Sequence, residues 1–358
     1  MIDNDVFVIN AIAHAYDFSA ANIRRNRVGR ALPELVYGIH RTWNPPELQV
    51  PREVFLSDQT MEMLSATQFL ESQVDLAVSH HIDLDGWTFD SIVSHAKNCE
   101  AARRWPQRYL LYVGAAPFRG IDVAIKDMER QVADLPEAVG LKLYPDSVAP
   151  IRSWRMDDPE VAYPLYESAR DLGLKVIAIH KALPNGPVPM NPYRVDDVDR
   201  AAYDFPDLNF EIVHAGMAFV DETAQAIARF PNVYANLETT SLLLNKAPRI
   251  FGEVLAQFLY WGGAQKIFWA DGGVLGHSQS LLEKFWAFEL PADLEDKYQV
   301  SLTREIKADI LGRNYAAMIG LDIAAARARI ETDEFSVAVR ENGLQAPYSN
   351  WLREAGVA

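Results

Sequence analysis

Five apolar runs in the chain end in a side chain able to bind a metal or carry a proton. They are VFVINAIAH, closing at His14, VDLAVSHH at His81, LKVIAIH at His180, LNFEIVH at His214 and KIFWAD at Asp271. Short runs rich in valine and isoleucine read as buried strands, and the carboxyl ends of such strands are where α/β enzymes collect reactive groups. His14, His180 and Asp271 together offer two imidazoles and a carboxylate, a donor set that suits Zn²⁺ or Mn²⁺ with one position open to water. His214 is a further ligand, or the group that polarises a carbonyl and moves a proton. Asp271 can bind the ion and also accept a proton from the water it activates. Each has a plainer reading: a strand-end histidine held by hydrogen bonds, and an aspartate turning the chain before Gly272 and Gly273.

These side chains are far apart in sequence, so a closed set of strands is needed to gather them. The chain alternates accordingly. Strands are expected at Val6 to His14, Val74 to His81, Arg108 to Phe118, Ala138 to Pro145, Leu174 to His180, Leu208 to His214, Asn232 to Glu238 and Lys266 to Asp271. Helices are expected at Glu53 to Ser72, Thr88 to Trp105, Ile121 to Leu135, Pro159 to Leu172, Asp196 to Tyr203, Asp221 to Phe230, Leu242 to Trp261 and Ser301 to Leu321. This alternation predicts an α/β fold, a (β/α)8 TIM barrel of one domain over residues 1–321. Residues 322–358 form an extension whose Tyr348 and Trp351 pack on the barrel or on a second subunit. A doubly wound sheet is the competitor, but it wants a glycine-rich phosphate loop after the first strand, and IAHAYDFSAA has no glycine.

Two connections attract attention. Ala15 to Pro51 reads as a long irregular loop because Pro33, Pro45 and Pro46 interrupt it, and it carries Arg24, Arg25, Arg27, Arg30, His40 and Arg41. Arg24, Arg25 and Arg41 are candidates for holding a substrate carboxylate through paired hydrogen bonds, or else they are solvated surface charges. Lys181 to Arg194 holds four prolines and reads as a loop at the mouth of the site. Trp269, with Trp43 and Trp154, is a flat wall for a ring or a core residue. Lys142 sits on an otherwise apolar strand.

Composition narrows the partners. A formal net charge of -15 argues against nucleic acid and anionic membrane. Cys99 is the single cysteine, so a metal centre here must use imidazole and carboxylate, and Cys99 itself reads as a small core residue. The first residues lack a basic region followed by a long apolar run, which makes the cytoplasm the expected compartment. A homodimer is the expectation from base rates.

The chain resembles the amidohydrolase superfamily, in the amidohydrolase-2 group that includes aminocarboxymuconate-semialdehyde decarboxylase. GLKLYP at Gly140 to Pro145, the strand-end His180, VHAGM at Val213 to Met217, FWADGG at Phe268 to Gly273 and ILGRNYAAMIGL at Ile310 to Leu321 carry the resemblance. It implies a divalent metal on His180 and Asp271, with His214 as the catalytic histidine beside it. The first strand of such proteins ends in D-x-H-x-H, whereas this chain reads NAIAH. Asn10 and Ile12 stand at the first two positions and His14 at the third. Glu238 is a candidate to complete the ligands, as are His80, His81 and His277.

The leading functional expectation is a metal-dependent hydrolase acting on a small carboxylated substrate, aromatic or derived from ring cleavage, through a metal-activated water. Non-oxidative decarboxylation of an aromatic or muconate-type acid is the alternative from the same family. A barrel without metal chemistry, serving as a binding or scaffold protein, is the alternative that Ile12 motivates.

Overall fold

The computed structural model describes every residue except Met1, Asn4, Gly216, Val357 and Ala358. Gly216 of the VHAGM motif therefore lies outside the described residues. Eight parallel strands form one sheet in chain order: β1 Ile9–Asn10, β2 Leu76–His80, β3 Tyr109–Gly114, β4 Gly140–Leu143, β5 Val176–His180, β6 Asn209–Val213, β7 Val233–Asn236 and β8 Ile267–Phe268. Past the ends of β1 and β8, Ala11 N donates to Trp269 O at 3.0 Å and Gly272 N to Ile12 O at 3.0 Å. These bonds join the last strand to the first and close the TIM barrel.

Side chains alternate across a strand, and that period decides which polar groups enter the barrel. Val176 and Ala178 share the inner face with His180, Leu76 and Val78 with His80, and Val213 with Glu211; the apolar members pack together inside. Ile177, Ile179, Phe210 and Ile212 face the other way, against the helices. Gly140 starts the inner face of β4, where a Cβ would stand 2.6 Å from the Tyr112 ring. The missing side chain makes room for that ring, and the next inward position is Lys142.

The structure corrects the reading of Ala15 to Pro51. The segment contains a helix, Arg27–Trp43, in spite of Pro33. Asn26 caps it by accepting from Gly29 N at 2.7 Å. Leu32, Leu35, Val36 and Ile39 follow the spacing of one helical face, and all four line the central pocket. Packing of that face outweighs the hydrogen bond that Pro33 cannot donate.

Other boundaries moved for local reasons. The helix expected from Glu53 is two, Arg52–Phe55 and Met61–Phe69, with Thr60 capping the second. Residues 82–94 are irregular, and the helix begins at His95 after its Ser94 cap. Pro248 starts a new helix, Pro248–Trp261, rather than continuing the preceding turn. Ser278–Ala287 and Ala292–Tyr298 are helices that the sequence reading left unassigned. Residues 322–356 hold three more helices and pack against the barrel. There Trp351 Nε1 donates to Met63 O at 3.0 Å, and Arg108 grips Asp333. Among the described residues no helix is long and apolar enough to cross a membrane.

Candidate active site

A cavity of about 60 Å³ opens among the carboxyl ends of the strands. Its polar wall comes from Lys142 and Tyr144 of β4, His180 of β5, His214 after β6, and Glu238 and Thr239 after β7. Its apolar wall is Ile12, Leu84, Ile92, Leu275 and the lid helix Arg27–Trp43. The volume suits a few waters or a very small ligand and is under half of the roughly 150 Å³ that admits benzene. A ring-bearing substrate must displace the lid or the loop at Leu183 to Asn185.

His214 is held on both sides. Its Nδ1 pairs with the Glu238 carboxylate, and its Nε2 lies 3.0 Å from His180 Nδ1. His180 Nε2 donates to Leu183 O at 2.6 Å, because a carbonyl only accepts. Burial, then the charges around His214 and Lys142, push His180 toward its neutral form, which leaves Nδ1 as an acceptor. His214 thus bridges a carboxylate and a second imidazole. Burial alone would raise the Glu238 pKa, but His214 and the Thr239 hydroxyl at 2.6 Å outweigh it and hold the carboxyl below its usual value. His214 and Thr239 have φ of 63° and 62°, a left-handed backbone that costs non-glycine residues energy and clusters at functional sites.

The β1 and β8 side is organised differently. Asp271 Oδ1 accepts from Asn10 Nδ2 at 2.7 Å, Gly273 N at 2.8 Å and Ser278 Oγ at 3.0 Å. Gln68 closes the ring, accepting from Asn10 and donating to Ser278, both at 2.8 Å. An amide at position 10 can donate to Asp271 where an aspartate could not. Asp271 Oδ2 is buried without a partner, and burial raises the carboxyl to about 6. Asp271 does not line the cavity.

A family model described as amidohydrolase matches residues 52–321. The chain belongs to the amidohydrolase family, in the amidohydrolase-2 group. Comparison with curated proteins finds no match. Among solved structures, this amidohydrolase is similar to an uncharacterized TIM-barrel protein from Bordetella bronchiseptica, with a TM-score of 0.62 at 17% identity over 88% of this chain and 99% of the other. It is similar to 5-carboxyvanillate decarboxylase from Sphingomonas paucimobilis, at 0.55 and 14% over 89% and 100%. A probable 2-pyrone-4,6-dicarboxylic acid hydrolase from Acinetobacter baumannii, crystallised with citric acid, gives 0.52 and 10% over 88% and 99%.

For this amidohydrolase, a divalent ion on His14, His180 and Asp271 would need a free lone pair from each within one small sphere. Among the described residues, the three side chains whose donor atoms lie within 4.8 Å of one another are His95, Cys99 and Asp134, outside the barrel. His180 has both nitrogens engaged, Asp271 offers only Oδ2 because Oδ1 already accepts three hydrogen bonds, and Ile12 forms wall where a ligand would stand. His14 Nδ1 and Glu238 Oε1 are buried without partners, but they sit in a pocket that already contains the Lys142 ammonium. The donor set as placed does not fit the ion.

The remaining candidates fall away from the cavity. Arg24 donates to Thr88 O at 2.6 Å and lies over the Phe89 ring. Arg25 and Arg41 are exposed, and Trp269 is buried against Phe285. His81 is bonded to Gln131 and Ser91, and His277 to Glu71. His80 stacks on Tyr112, with its ring nitrogens unpartnered. The cavity wall includes Tyr16, Lys142 and Tyr144, to which the sequence reading gave no role in the site. The inward alternation of Gly140 and Lys142 was the available signal for the lysine.

Proposed function

We propose that this amidohydrolase removes CO₂ from a small aromatic or muconate-type carboxylate, with His214 as proton donor. The observation that carries the reading is the chain from Leu183 O through His180 and His214 to Glu238, which holds the His214 imidazole in the cavity wall, where a substrate would take the place of His180 at Nε2 to receive a proton. His214 would place its proton on the carbon that bears the carboxylate. The bond to the carboxylate then breaks, its electron pair stays with the substrate carbon, and CO₂ leaves. A carboxylate spreads its charge as it becomes CO₂, so a cavity walled by Ile12, Leu84, Ile92 and the lid helix favours that step by withholding water.

Hydrolysis is the second reading, and Glu238 Oε1 favours it. This oxygen is buried, unpartnered and in the wall of the same cavity, where it could take a proton from water. No step in either reading passes through a metal, since the expected ligands do not present a common point. Incubation with 5-carboxyvanillate and with 2-pyrone-4,6-dicarboxylate, following CO₂ and ring opening separately, tests the proposal. CO₂ release in D₂O with deuterium at the vacated carbon is the expected result. Ring opening of the pyrone with no CO₂ from any aromatic acid would replace it by the hydrolytic reading.

A further inference from the structure

Lys142 is a buried lysine in the wall of the cavity, and its nitrogen has no hydrogen-bond partner among the described residues. Only 2% of its surface is exposed, and it lines the cavity with His14, His180 and His214. Among the described residues its nitrogen forms no hydrogen bond or ion pair, and it lies 5.2 Å from the centre of the Tyr144 ring. Burial lowers its pKa to about 7, and the charges of Glu211 and Glu238 offset that only in part. Glu211 is taken up by Asn236 and by Tyr112, whose hydroxyl donates at 3.4 Å. Glu238 Oε2 is taken up by His214 and Thr239, while its Oε1 has no partner.

A buried ammonium with three unused donors is costly unless something pairs with it. Preorganised charge of this kind is how enzyme sites receive an anion, because no solvent has to reorganise when it arrives. The apolar lid keeps bulk water and salt away from the charge.

Resting on the reading that this cavity takes a carboxylated substrate, we propose that Lys142 is its anion-binding residue. The substrate carboxylate would lie against Nζ when it enters the cavity.

The test uses acetate, small enough for the cavity, and acetamide, its uncharged counterpart. Carbamylation of Lys142 by cyanate, read by mass spectrometry on the wild-type chain, requires no variant. Saturating acetate is expected to slow the reaction by about tenfold or more, a difference that one charged hydrogen-bonded pair supplies, and acetamide to leave it unchanged. Equal protection by both, or none by acetate, overturns the proposal. In Lys142→Met, acetate affinity measured by NMR titration should fall by about tenfold or more, with Lys142→Arg retaining part of it. Acetate binding that requires added Zn²⁺ or Mn²⁺ and survives Lys142→Met overturns the proposal in favour of a metal. Acetate binding through Lys142 in a chain that releases no CO₂ from any carboxylate supports the anion site while removing the decarboxylase reading.

Discussion

The mouth of this barrel has two unlike halves. On the β1 and β8 side, Asn10, Gln68, Ser278 and Asp271 Oδ1 bond to one another, and the unpartnered Asp271 Oδ2 lies outside the cavity wall. On the β4 to β7 side, Lys142, His180, His214 and Glu238 face the cavity, and the lysine donors and one glutamate oxygen are unspent. Closed polar rings hold loops in register, whereas polar groups with spare capacity await a ligand. The same barrel geometry brings both halves to one face, so convergence at the strand ends does not by itself identify a working group. The partners already made by each side chain separate a brace from a tool.

The largest effect is expected where the working half is cut. His214→Asn should lower turnover of whichever carboxylate is processed by roughly 10²- to 10⁴-fold, the usual value of a positioned proton donor. The folded structure should persist, by circular dichroism. Glu238→Gln keeps the shape and removes the charge, and should cost about 10- to 100-fold. Turnover within about tenfold of wild type in His214→Asn would dissolve the distinction between the halves.

The second effect belongs to the bracing half and concerns pH. His40, on the lid helix, is fully buried and accepts from Val50 N at 2.8 Å, while its Nδ1 meets Leu275 O at 3.2 Å. Burial pulls its pKa down to about 4. In the unfolded chain it titrates near 6.5, so between those values the unfolded state binds more protons than the folded state. The His40 contribution is intact above pH 6.5 and is lost as pH falls through 4, at about 3 kcal/mol in full. Urea titrations at pH 7 and pH 4 should show His40→Gln losing about 3 kcal/mol less than wild type over that interval. Equal losses would mean that the clamp on the lid does not titrate.

A smaller effect tests the lid alone. Asn26 caps the helix and also donates to Gly86 O at 2.7 Å. Asn26→Ala should cost about 1 kcal/mol in urea unfolding and raise KM more than it lowers kcat, because the lid must close over the substrate.

Strand period made the barrel legible: runs such as LKVIAIH and LNFEIVH carry enough β-branched residues to announce themselves, and their ends reach the site. The lid stayed hidden because Pro33 suggested a break, although Leu32, Leu35, Val36 and Ile39 repeat at helical spacing. Whether a strand-end side chain is free or already bonded depends on residues hundreds of positions away, as with Asn10 and Asp271. No local pattern encodes that. Lys142 was visible as an anomaly on its strand, but its meaning required seeing that Glu211 and Glu238 were engaged by other partners.

The smallest expected change is the most discriminating, because it falls on the residue that both the resemblance and the strand pattern favoured. Asp271→Asn retains an Oδ1 that can accept from Asn10, Gly273 and Ser278, so the ring survives. If Asp271 is a brace, turnover should remain within about tenfold of wild type, since only the geometry of the turn before Gly272 is disturbed. A carboxylate that held a divalent ion or took a proton in the reaction could not be replaced so lightly, and the loss would match that of His214→Asn. Measuring both variants on one substrate compares the two halves directly: similar losses place the chemistry across the whole mouth, and a wide gap confines it to β4 through β7.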